Sequence, residues 1–208
     1  MQILLLCDTG RENEFLPELP AGKLRWVTGT SVDAWQAETA DVCIDLRDIE
    51  TGWAPEWTAL PWRLLVVNAV LTTLADLPPN AVRINAWPGF AAREIVEAAA
   101  PMEMQQLAGE LFTALGKKTS WTPDLVGFVS LRIVASMINE AYFALEETVS
   151  SREEIDLAMK TGTNYPYGPF EWAEKIGKKK LLTLLSTLAA SEERYTPARL
   201  LQQEGQIP

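Results

Sequence analysis

The chain has no histidine among its 208 residues and only two cysteines. Without imidazole, the usual proton acceptor near neutral pH is missing, and two thiols alone argue against a zinc site. Cationic residues are also scarce: 18 Lys and Arg stand against 28 Asp and Glu, a formal charge of −10. Such a surface cannot neutralise a phosphate backbone, so no nucleic-acid partner is expected. Long apolar runs are absent as well. Ile3–Cys7 with its neighbours is stopped by Asp8, far short of the roughly 20 residues that span a bilayer. Met1-Gln2 supplies no basic region for a secretory signal. The expectation is therefore a cytoplasmic protein without a membrane partner, with Cys7 and Cys43 as small buried hydrophobes in a reducing compartment.

What is present suits a folded α/β chain. Hydrophobic residues make up 48% and charged residues 22%, enough for one sizeable core or two modest ones. Gln2–Cys7, Leu24–Thr28, Val42–Leu46, Leu64–Val70 and Ala81–Ala86 each read as a short buried strand. Arg11–Leu19 and Ser31–Glu38, the latter capped by Thr30 or Ser31, lie between the first three. This alternation predicts a parallel, doubly wound sheet. Ile49–Pro61 has no clear period and reads as a loop in place of a covering helix. It falls in a stretch that carries three of the eight tryptophans, Trp53, Trp57 and Trp62. They either fill gaps beneath that connection or form an aromatic wall for an adenine or acyl ligand. Ala91–Ala100 suits a helix by propensity and a strand by Ile95-Val96. Met102–Leu115 is predicted helical with Gly116 as its stop, and Lys117–Pro123 is a last extended piece and linker.

The second half is all helix. Asp124–Val149 carries apolar residues on nearly two faces, more than a surface helix needs, which predicts cover from a subunit interface. Ser151 and Glu154 form a capping-box pattern, Gly168-Pro169 starts the next helix, Gly177 ends it, and Lys178–Leu188 is the final amphipathic helix. The clusters Lys117-Lys118 and Lys178–Lys180 read as solvated faces.

In an open parallel sheet, ligands sit beyond the carboxyl ends of the strands. Those ends carry Asp8, Asp45, Asn68 and Asn85, which either line a crevice or serve ordinary turn chemistry. The first turn, Cys7-Asp8-Thr9-Gly10-Arg11-Glu12-Asn13-Glu14, keeps only Gly10 of a G-x-G-x-x-G cradle. Three carboxylates crowd the place where a pyrophosphate would lie. Two unit charges ~4 Å apart near a surface interact by roughly 4 kcal/mol, enough to weaken dinucleotide binding severely. Val27-Thr28-Gly29-Thr30 puts no acid at the end of the second strand.

From about Gly127 to Leu201 the chain resembles the C-terminal helical domain of the L-3-hydroxyacyl-CoA dehydrogenases. The residues that carry this are Asn139-Glu140-Ala141, Ile155–Met159, Gly162, Tyr165-Pro166, Gly168–Glu171 and Arg194-Tyr195. Over residues 1–118 the resemblance rests on strand order, Ala40-Asp41-Val42 and spacing, and the nucleotide domain is shorter than the family's. The resemblance implies a reduced Rossmann-like domain, 1–118, followed by an all-α dimerisation domain, 119–208, and it makes Ile95-Val96-Glu97 a strand.

Family members are similar in using a histidine–glutamate pair, with a serine and an asparagine on the substrate. Here Asn85 stands at the histidine's place and Glu97 at the glutamate's, with the same spacing. Val70 or Ala69 stands where the serine is expected, and Leu131 beside Arg132 where the asparagine is. Gly10, Asp45 and Asn68 are the positions that resemblance offers to NAD. An asparagine cannot accept and hold the proton released as hydride leaves. Two functions follow as expectations. One is a degenerate, homodimeric family member that binds an acyl-CoA or small acid, or regulates, in fatty-acid metabolism. The other is a working NAD-dependent oxidoreductase with a site rearranged around Glu97 or Asp45.

Overall fold

Short runs of four or five residues, apolar in most of the strands, build a sheet whose two faces pack against different sets of side chains. A computed structural model of the chain describes residues 2–8, 12–16, 25–29, 41–47, 56–59 and 62–206. The described elements of the first half are β1 (Gln2–Leu6), α1 (Glu12–Phe15), β2 (Arg25–Gly29), β3 (Val42–Asp45), α2 (Glu56–Ala59), β4 (Leu64–Asn68), β5 (Ala81–Ile84), β6 (Ile95–Ala99), α3 (Met102–Ala114) and β7 (Lys118–Trp121). The strands form one sheet in the order β2-β1-β3-β4-β5-β6-β7. Every pairing is parallel except β5–β6, which is antiparallel. The expected parallel sheet is present, with one antiparallel joint. The link from Asn85 to Glu94 is too short for the dozen or more residues that a parallel crossover needs.

One face of the sheet, with Ile3, Leu5, Ile44, Val66, Val82 and Ile84, packs against Phe15 of α1 and Ala108, Leu111 and Phe112 of α3. The other face, with Leu4, Leu6, Cys43, Leu65 and Val67, is covered by Trp57 and Trp62. The stretch expected as loop, Ile49–Pro61, thus contains the one-turn helix α2, and Trp57 on that helix covers this face together with Trp62 just beyond the stretch. Cys7 and Cys43 are buried. The expected helix Ser31–Glu38 and Trp53 lie outside the described residues.

The chain comprises two compact units, Met1–Phe128 and Val129–Pro208. The division expected at 118/119 falls where β7 begins, and β7 extends the sheet by pairing with β6. The second unit holds α4 (Phe128–Glu146), α5 (Arg152–Thr163), α6 (Pro169–Ile176), α7 (Lys178–Ala189) and α8 (Arg199–Gly205). The last was not expected from the sequence. The helix predicted over Asp124–Val149 is shorter at both ends. At its start Gly127 and Phe128 are left-handed, with φ of 84° and 51°. At its end Thr148 is left-handed with φ 56°, and Val149 N–H reaches Ala144 O at 2.9 Å while Thr148 N–H reaches Leu145 O at 3.1 Å, which closes the helix.

By length and composition alone α4 could cross a membrane, but Leu131, Val134, Ala135, Ile138 and Tyr142 are buried within the protein. Asn139 fixes α4 to the approach to α8, donating to Thr196 O and accepting from Ala198 N–H, both at 2.8 Å. The capping box at Ser151 and Glu154 is present.

Candidate functional site

The antiparallel return from β5 to β6 explains the spacing of the two leading candidates. Register pairs Arg83 with Ala99 and Ile84 with Ala98, and the ladder continues as Asn85 N–H donates to Glu97 O at 3.1 Å. Residues directly opposite on antiparallel strands share a face, so a separation of twelve in sequence becomes side-by-side contact. The Asn85 Nδ2 amide donates to Glu97 Oε2 at 3.2 Å. Asn85 Oδ1 accepts from Trp87 N–H at 3.4 Å, orienting the amide so that its NH2 faces the carboxylate. Asn85 is buried and Glu97 half-buried. Burial pulls the Arg93 guanidinium below its ordinary range, and the Glu97 charge opposes this only in part.

Asn68 joins this group through the backbone, because its Oδ1 accepts from Ala86 N–H at 3.1 Å. Its Nδ2 is buried with no partner among the described residues. Lys117 fixes the turn between Asn85 and Glu97 from below. Its Nζ donates to Ala91 O at 3.1 Å and Arg93 O at 3.0 Å and lies 4.5 Å from the Phe15 ring centre. The reading of Lys117 as a solvated charge is therefore corrected: it is a buried cation whose pKa burial pushes down. Glu14 accepts from Gly89 N–H at 3.2 Å in the same turn.

Asp45 stands apart from this group. It is 1% exposed. Oδ1 accepts from Arg47 N–H and Nε at 3.0 Å each, and Oδ2 from an Arg47 terminal nitrogen at 2.7 Å and Trp57 Nε1 at 2.9 Å. A carboxylate offers about four acceptor positions, so these bonds fill it. A ribose hydroxyl would have to displace one of them. Gly10 lies outside the described residues, and Asp8 is exposed at the end of β1. Among the described residues no cluster of three His, Cys, Asp or Glu side chains could hold a metal.

One ion pair was missed by sequence reasoning: Arg83, buried in β5, and its partner Asp124. The available signal was a lone charge in the apolar run Ala81–Ala86.

Residues 127–206 match the family model described as 3-hydroxyacyl-CoA dehydrogenase, C-terminal domain. The chain is 32% identical over 214 residues to the 3-hydroxyadipyl-CoA dehydrogenase of Escherichia coli K12, covering 94% of this chain and 45% of that protein. The chain belongs to the L-3-hydroxyacyl-CoA dehydrogenase family. A 3-hydroxybutyryl-CoA dehydrogenase of Bradyrhizobium diazoefficiens is 34% identical over 137 residues, 63% of this chain and 47% of that one. The chain thus spans about half the length of the curated relatives it matches. The crystal structure of the (S)-3-hydroxybutyryl-CoA dehydrogenase from Ralstonia eutropha superimposes with a TM-score of 0.69 at 24% identity, over 86% of this chain and 69% of that one. That likeness shows the fold: a Rossmann-like sheet unit followed by the helical unit of this family.

Proposed function

We propose that this family member binds an acyl-CoA or a related small acid without transferring hydride, and that it works as a homodimer joined through its helical unit. The observation that carries the reading is the Asn85–Glu97 pair. A carboxamide donates to the carboxylate at the place where the family resemblance puts an imidazole. The carboxamide cannot take up a proton as the carbonyl forms, and that step is worth about 10²–10⁴-fold in rate. The filled acceptor shell of Asp45 and the acidic first turn argue in the same direction, against NAD. The competing reading, an active NAD-dependent oxidoreductase, is favoured by the half-buried Glu97, whose carboxylate would have to act as base.

The homodimer reading is supported by the outer row of α4, where Val129 and Ile133 are 50% and 55% exposed. The buried cysteines support the placement in a reducing cytoplasm.

Thermal denaturation separates the two functions. A ligand present at 100 times its dissociation constant stabilises by about 2.7 kcal/mol. Millimolar NADH should give no upward shift, whereas an acyl-CoA such as acetoacetyl-CoA should give one. Saturable stabilisation by NADH together with its oxidation by acetoacetyl-CoA would refute the proposal. Glu97→Gln would then identify the base. Sedimentation should find a dimer that Ile133→Glu dissociates.

A further inference from the structure

Arg83 is the one charged residue of β5, and its side chain is wholly buried. Each nitrogen of its fork has an acceptor. Nε donates to Ala69 O at 3.0 Å, one terminal nitrogen pairs with Asp124 Oδ1, and the other reaches Leu125 O at 3.4 Å. The guanidinium carbon lies 4.8 Å from the Phe128 ring centre, within cation–π range. The second oxygen of Asp124 accepts from Leu74 N–H at 2.9 Å.

These contacts close over strained backbone. Gly127 and Phe128 are consecutive left-handed residues, and for an aromatic residue that conformation is rare and persists only where its surroundings fix it. Gly127 N–H is tied to Val70 O at 2.9 Å, and the Phe128 ring is buried under Arg83. The fixed segments are the ones that carry the candidate site. Ala69 follows Asn68 directly, and Arg83 precedes Asn85 by two residues. The Arg83–Ala69 bond and the Ala86–Asn68 bond are therefore neighbouring links between the same two stretches of chain.

We propose that Arg83, Asp124 and Phe128 form a clasp that positions Asn68 and Asn85 beside Glu97, by holding Ala69–Leu74 and Asp124–Phe128 against β5. The clasp is a positioning device; none of its members is assigned contact with a ligand.

Amide hydrogen exchange of the full chain tests it. In Arg83→Met/Asp124→Ala, which leaves no unpaired buried charge, the Gly127 and Ala86 amides keep their own acceptors. They should nevertheless exchange at least tenfold faster, beyond any change at Leu5 and Ile44 in the same sheet. If only Leu74 accelerates, having lost its acceptor, or if all these amides accelerate together, the clasp is overturned and Arg83 merely fills space. Arg83→Lys keeps the charge without the fork and should not restore protection; full protection would equally overturn the proposal. Phe128→Leu leaves the ion pair intact and decides the matter if the double variant does not fold. It should accelerate Gly127 selectively, and unchanged exchange there refutes the clasp.

Discussion

Gly168 is required for space. Its φ of −71° is available to any residue, yet an added Cβ would stand 2.4 Å from the Cβ, Cγ and Oδ1 of Asp156. Asp156 cannot move aside cheaply, because it is buried and caps α6 from a neighbouring helix. It accepts from Phe170 N–H at 2.8 Å and Glu171 N–H at 3.2 Å. Gly168 has no side chain to cap with, so its own part is to donate its N–H to Glu171 Oε2 at 2.9 Å. Gly168→Ala therefore forces α6 and Asp156 apart. Bonds to a charged group contribute about 1.5–3 kcal/mol each, and two that share one carboxylate are not fully additive. The expected loss is about 2–4 kcal/mol, a large part of the roughly 5–15 kcal/mol that holds a typical domain together. Urea unfolding followed by circular dichroism measures it. In an Asp156→Gly background the same substitution should cost little, because the atoms it would strike are gone. A loss under about 1 kcal/mol, or equal losses in the two backgrounds, would show that the contact does not constrain the turn.

Two further outcomes follow from the same kind of comparison. Trp57→Phe removes an indole donor from buried Asp45 and should cost about 1.5–3 kcal/mol. Trp62→Phe removes an indole N–H that is buried without a partner among the described residues, so it should cost clearly less; thermal melts of the two variants should differ in that order. Acid should weaken the helical unit through Glu204. Burial tends to raise its pKa, but hydrogen bonds from Lys178 and Tyr142 and the charges of Arg152 and Lys178 outweigh this and hold it below the ordinary 4.5. A depressed carboxylate pKa means that its stabilisation is complete above 4.5 and fades as pH falls through the lower folded value. The Glu204→Gln melting profile should be flatter over that acid range, and an unchanged profile would contradict the assignment.

Local physical chemistry explains why much was legible in advance. Strand positions follow from apolar runs bounded by polar ends. The start of α5 follows from Ser151 and Glu154, and the start of α6 from Gly168-Pro169, because caps are written in three or four neighbouring residues. The separation of Asn85 and Glu97 pointed to a pair because the family resemblance supplied the pairing. What failed was whatever depended on partners far along the chain. Lys117 looked like half of a solvated doublet until Ala91 O and Arg93 O met it. Asp45, at the end of β3, gave no local sign that Trp57, twelve residues on, would bond its Oδ2.

The sequence by itself determined the alternating strands, the capped helices, the family kinship of the second half and the absence of any imidazole. Those features live in composition, short spacing and periodicity, which no packing alters. Only the tertiary structure decided that β6 runs backwards, that indoles cover one face of the sheet, and that Arg83 is buried against Asp124. Each of these depends on groups far apart in the sequence, 41 residues for Arg83 and Asp124, whose attraction is set by the burial and distance that folding creates.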